Sequence, residues 1–156
     1  MTADEGPREY LDDASPATVA RWRSLRDAVV SELRAVGLPV GTAWNGLAEG
    51  EELCVGVLVD VTTAADGGGV QISWHQPTKR LTPIAEALEA HEARELIEPM
   101  MQRYGQVDQV LTMAAVLVLG IAGFALEPSR RPYGEGEYEV LHGPDASSRA
   151  TATPSL

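Results

Sequence analysis

At Trp74-His75-Gln76, with Thr78, Lys79 and Arg80 close behind, the sequence sets an indole, an imidazole and two cations at the end of an apolar strand. Such a combination suits recognition of a polar partner, because a strand end presents side chains that the sheet holds in place. His75, Lys79 and Arg80 are therefore the candidate binding residues of this segment. Trp74 stands apart from them, since it shares the alternating face of Val70 and Ile72 and reads as core.

Other constellations carry less chemistry. His91-Glu92-Ala93-Arg94-Glu95 opens like the helical zinc motif in which two histidines one turn apart bind metal and the glutamate acts as base. The second histidine is missing, and His75 and His142 lie far along the chain, so the segment reads as an exposed charged helix with His91 beside Glu95. Glu86, Glu89, Glu92, Glu95 and Glu98 recur every third residue. Each such step turns a helix by about 300°, so these carboxylates spiral rather than converge on a cation. Arg94 and Arg103 serve them as partial counter-charges. Asp66-Gly67-Gly68-Gly69 is flexible enough to approach a phosphate but lacks the lysine and the following helix of a nucleotide-binding loop; it reads as a hairpin connection. Cys54 falls inside an apolar strand, where a thiol packs rather than reacts. No catalytic residue, metal ligand or cofactor is expected, and the chain leans away from being an enzyme.

The elements that must position these residues follow from periodicity. Ser15-Pro16 announces a helix, with serine as N-cap and proline at the first helical position. Val19, Trp22, Leu25, Val29, Leu33 and Val36 then recur at steps of three and four, and Gly37 stops the helix. Three strands are expected at about 38–44, 52–61 and 69–76, joined as an antiparallel meander, with Asn45-Gly46 as a hairpin turn. The second is apolar on both faces until Asp60, as in a central strand. In the third, Gln71, Ser73 and His75 make the wet face. A helix follows from Thr82 or Pro83 to Gly105, kinked or divided at Pro99, and Asp108 caps a third helix over about 109–122. Phe124 and Leu126, then Tyr138, Val140 and Leu141, form a closing hairpin. The predicted fold is α+β, in the order αβββααββ, with about three helices on a mostly antiparallel sheet built from the meander and the C-terminal hairpin.

Length and composition set the class. At 156 residues, 44% hydrophobic and 22% charged, the chain supports one globular core, expected over 15–142 between a disordered acidic arm (1–14) and a disordered tail (143–156). Its 23 acidic and 12 basic residues leave a net charge of -11, which repels phosphate backbones and anionic membranes, so neither nucleic acid nor a membrane is an expected partner. Eleven of the 12 basic residues are arginine, a bias typical of a GC-rich bacterial genome. A lone cysteine and an N-terminus without a secretory pattern fit a reducing cytoplasm.

The third helix asks for a partner. Between Val110 and Ala122 there is no charge, and Val110, Leu111, Met113, Val116, Leu117, Val118, Leu119 and Ile121 surround its whole circumference. The uncharged run Val110 to Leu126 is shorter than the roughly 20 residues that span a bilayer. Either the helix is threaded between the sheet and the other helices, or its outer face meets another chain. A two-fold homodimer through residues 109–122, with Leu117 facing outward into the contact, is the preferred reading.

Gly69-Val70-Gln71-Ile72-Ser73-Trp74, Gly105-Gln106-Val107 and Ala122-Gly123-Phe124 together resemble small uncharacterised α+β proteins of actinobacteria over about half the chain. That resemblance implies a fold and transfers no activity, cofactor or site. In size and acidity the chain is also similar to type III secretion chaperones, which are dimeric effector binders; here the last helix precedes the final hairpin, unlike the order in that family. The expected function is a protein-binding accessory or regulatory module: chaperone-like, adaptor or immunity-type. The alternative is a small enzyme or small-molecule binder with a pocket between sheet and helices, for which His75, Asp60 and Arg80 are the first residues to consider.

Overall fold

The structure, a computed structural model, describes residues 14–41, 56–62, 68–131 and 134–145. Helix α1 spans Pro16–Ala35, and its start is as the sequence dictates: the Ser15 hydroxyl accepts a hydrogen bond from the Thr18 amide at 3.2 Å, with Pro16 at the first position. Strands β1 (Val40–Gly41), β2 (Gly56–Thr62) and β3 (Gly69–His75) follow, then a 3₁₀ turn at Thr78–Arg80. Helices α2 (Thr82–Glu89) and α3 (Arg94–Ile121) precede β4 (Ala125–Pro128) and β5 (Tyr138–His142). Cys54, Asn45-Gly46 and Asp66-Gly67 lie outside the described residues.

The class is α+β and the order is αβββααββ, with a five-stranded sheet ordered β1-β2-β3-β5-β4. The sheet is mixed. Strand β1 runs parallel to β2, pairing Val40 with Val57 and Gly41 with Leu58, while the other pairs are antiparallel. This corrects the expected all-antiparallel meander. The 14 residues 42–55 between the two strands are enough for the crossover that a parallel pair requires.

Helices α1 and α3 cover one face. Alternation along the strands sends Val57, Val59, Val70, Ile72 and Val140 towards them, and these close with Val29 and Leu33 of α1 and Ala115 and Leu119 of α3 into one core. Trp22 and Trp74 flank it, so Trp74 is packed as its strand position implies. Polar residues of α1 expected in water, Arg23, Asp27, Ser31 and Arg34, are exposed. Each fully buried Leu or Val contributes about 1.5–3 kcal/mol relative to exposure, so this cluster dominates the stability of the domain. A smaller cluster of Ile84, Ala87 and Ile97 fastens α2 to the start of α3.

The helical region departs from the sequence reading in one connected way. The break falls at 90–93, and α3 then runs unbroken through Pro99, Gly105 and Asp108. Asp108 is therefore a mid-helix residue and not a cap. The break has neither Gly nor Pro to announce it. His91 takes a left-handed φ of 51°, and its Nδ1–H donates towards the carbonyls of Leu88 (3.2 Å) and Glu89 (3.0 Å). The His91 amide also donates to the Leu88 carbonyl at 3.1 Å, so His91 closes the end of α2 with its backbone and its ring and has no place on a helical face beside Glu95. Glu86, Glu89, Glu92, Glu95 and Glu98 are all exposed, and Arg94 meets Glu98 at 3.5 Å.

Candidate functional site

Strand β3 outruns its neighbour. Its pairing with β5 covers only Val70 to Ile72, so Ser73, Trp74 and His75 continue past Tyr138, where β5 begins. Helix α3 crosses at this gap and supplies what the strand does not: the Trp74 amide donates to Thr112 Oγ1 at 3.0 Å. A backbone amide at a partly buried sheet position needs such a partner. Two residues on, Gln76 is 8% exposed and its Nε2 donates both to the Tyr104 carbonyl and to Asp108 Oδ1, each at 2.9 Å. Tyr104, Asp108 and Thr112 are four residues apart, so they form one polar stripe on the inward face of α3.

These side chains line a cavity of about 630 Å³ together with His75, Gln76 and Leu81. That is within the roughly 300–1,000 Å³ of small-molecule pockets. Gly105 also lines it, and a methyl group added there would meet nothing within 4 Å, so the helix leaves open space at this point. Burial holds the Asp108 carboxyl above its ordinary range, against the opposing pull of the Gln76 hydrogen bond and of His75. The Tyr104 hydroxyl is also raised, by burial first and by the Asp108 charge second, with Arg80 acting the other way. The Asp108 carboxyl and the other polar groups of the lining give the cavity hydrogen-bonding partners for a polar ligand.

Of the residues singled out from sequence, His75 lines this cavity. Arg80 stands near enough to bias Tyr104, and Lys79 and Arg80 are exposed on the 3₁₀ turn. Asp60 lies elsewhere, on the sheet face opposite the helices. Gln76 belongs to the segment singled out from sequence, whereas Tyr104 and Asp108 were not legible as site residues, although the polar stripe of α3 was a signal. The supposed cap at Asp108 concealed it by cutting the stripe in two.

Leu117 belongs to a different surface. Thr112, Ala115 and Leu119 face the sheet, whereas Val110 (67% exposed), Met113 (36%), Leu117 (61%) and Ile121 (89%) form the outer face of α3. The helix is therefore not enclosed within the chain. With 28 residues, α3 is long and apolar enough to cross a membrane by length and composition alone. Its inner face is nonetheless committed to the core through Thr112, Ala115 and Leu119.

Among the described residues no cluster of three or more His, Cys, Asp or Glu side chains could hold a metal ion. No family model, curated protein or solved structure matches the chain.

Proposed function

We propose that this chain is a protein-binding module that pairs with a second copy of itself through the outer face of α3 and acts as an accessory or regulatory protein. The observation that carries the reading is the exposure of Val110, Met113, Leu117 and Ile121 along one face of a helix whose other face is already packed. These residues step by three, four and four, the spacing with which one helix lies along another. Burying each is worth about 1.5–3 kcal/mol, and two-fold symmetry doubles the set. Ala114, between Met113 and Leu117, is small enough to let two backbones approach.

A second copy suits this face better than a charged partner does. From Gln106 to Ile121 the only charged residue is Asp108, and its side chain points inward, so the outer surface offers nothing for a charged partner to pair with. An uncharged stripe also lets two copies of net charge -11 meet where their repulsion is least. On this reading the chain works in solution in the cytoplasm, with neither nucleic acid nor a membrane as its main partner.

Co-capture tests the pairing. A tagged copy is expected to retain an untagged copy, and Leu117→Arg on both is expected to abolish retention while leaving the far-ultraviolet circular dichroism unchanged. Retention undiminished by Leu117→Arg, or flotation of the wild type with liposomes in place of self-association, would refute it.

The raised Asp108 carboxyl in its 630 Å³ cavity favours a second reading, small-molecule binding between sheet and helices. A metabolite that raises the melting temperature of the wild type and not of Asp108→Asn would support it. The two readings use different faces of α3 and are compatible.

A further inference from the structure

The cavity of about 630 Å³ between β3 and α3 is lined by charge of one sign. Asp108, Glu135 and Glu137 contribute to its wall, and no lysine or arginine does. Glu137 is already engaged, since Arg131 meets it at 3.4 Å from outside the lining. Asp108 and Glu135 have no ion pair with an arginine or lysine among the described residues. His75 also lines the cavity, and Arg80 stands near enough to bias Tyr104 without lining it. A smaller cavity of about 360 Å³ differs in this respect, because Arg131 lines it beside Asp60 and Glu137 and it favours neither sign of charge.

Asp108 is the carboxylate that the fold holds in place. Gln76 Nε2 donates to its Oδ1 at 2.9 Å, and Oδ2 accepts no hydrogen bond among the described residues. Burial raises this carboxyl, so its ionised form lacks part of the solvation that water would give, and a cation brought beside it restores what burial removes. The remaining wall includes Trp74, Leu81 and Tyr104, and Gly105 leaves open space where a side chain would otherwise stand. Indole and phenol faces attract a cation within about 6 Å of the ring centre and offer flat apolar area to the rest of a ligand.

Resting on the reading that this cavity holds a small molecule, we infer that its ligand is a primary ammonium on a short chain that ends in a flat apolar ring, the chemical class of an arylalkylamine. The ammonium donates to Asp108 Oδ2, with Glu135 adding to the attraction, and the ring occupies the space beside Gly105 against Trp74 and Leu81. A hydroxyl in place of the ammonium keeps a hydrogen bond and loses the charge. A carboxylate there meets Asp108 and Glu135 as like charges.

Phenethylamine, 2-phenylethanol and phenylacetate share the ring and differ in charge, so calorimetric titration of the full chain with each at millimolar concentration separates charge from shape. Phenethylamine is expected to bind saturably, 2-phenylethanol about tenfold more weakly, and phenylacetate more weakly still. Asp108→Asn keeps an acceptor for Gln76 and removes only the charge; it is expected to weaken phenethylamine about tenfold and to leave 2-phenylethanol unchanged. Gly105→Phe fills the cavity and is expected to abolish phenethylamine binding, which keeps the test open should Asp108→Asn not fold. Binding of 2-phenylethanol or phenylacetate as tight as that of phenethylamine, and lost in Gly105→Phe, overturns the inference and leaves the small-molecule reading standing. Phenethylamine binding undiminished by Asp108→Asn or by Gly105→Phe also overturns it, by placing the amine elsewhere. So does the absence of binding by all three compounds, and the metabolite screen proposed above then decides the reading separately.

Discussion

Gln76, just past the end of β3, reaches Asp108 in the middle of α3, its Nε2 donating to Oδ1 at 2.9 Å across 32 residues of sequence. The same nitrogen donates to the Tyr104 carbonyl, so one buried amide fastens the strand end to the helix and holds the carboxyl of the larger cavity. Replacing Gln76 with Leu removes both bonds and leaves Asp108 partly buried without its donor. Loss of a hydrogen bond of this kind costs about 1–3 kcal/mol, and Gln76→Leu is expected to lower the urea midpoint accordingly. An unchanged midpoint would show that the contact carries no weight.

Asp108 also sets a pH dependence. Its folded-state carboxyl holds its proton to higher pH than the unfolded chain does, so the folded state binds more protons over that interval and stability falls as pH rises through it. Asp108→Asn removes the effect. The variant is expected to melt above the wild type at neutral pH and together with it at pH below the ordinary carboxylate range. A melting-temperature difference that persists unchanged at acidic pH would point to a cause other than titration.

Glu139 obeys the same sign. Two carboxylates stand opposite each other on β4 and β5, and the Glu139 carboxyl is raised by burial and by its neighbour. Glu139→Gln is expected to stabilise the protein at neutral pH and to leave it unchanged in acid, where the Glu139 carboxyl is already protonated. Thermal denaturation across pH measures this directly.

Gly105 sits inside α3, where glycine costs about 1 kcal/mol relative to alanine. An alanine methyl there would meet nothing within 4 Å, so Gly105→Ala is expected to raise stability by about that amount. Gly105→Phe should instead fill the cavity that the glycine borders. If a metabolite binds there, Gly105→Ala should preserve binding and Gly105→Phe abolish it.

What the sequence disclosed and what it hid divide along physical lines. The Ser15-Pro16 start, the alternation from Val70 to Trp74 and the closing hairpin were legible because each rests on local chemistry. The direction of β1 was not, since Val40 and Gly41 would alternate identically in either orientation. The α2–α3 break was hidden because His91, not Gly or Pro, takes the left-handed conformation and closes the helix with its own ring. Pro99 looked like the stronger breaker, yet it lies early in α3 and the helix runs through it. Among the residues lining the larger cavity, His75 was legible from its place at a strand end. The burial of Gln71 was not legible, because a glutamine on the alternate face of a strand reads as solvated, and its burial emerges only from the assembled sheet. Leu117 was legible as surplus apolar surface on a helix too hydrophobic for one packed side.

The pairing of α3 with a second copy is the central claim, and solution mass tests it most directly. Light scattering across a micromolar concentration series is predicted to give about twice the 16.7 kDa chain mass for the wild type. For Leu117→Arg, folded by circular dichroism, it is predicted to give the single-chain mass. A wild type that stays at 16.7 kDa throughout the series would contradict the account.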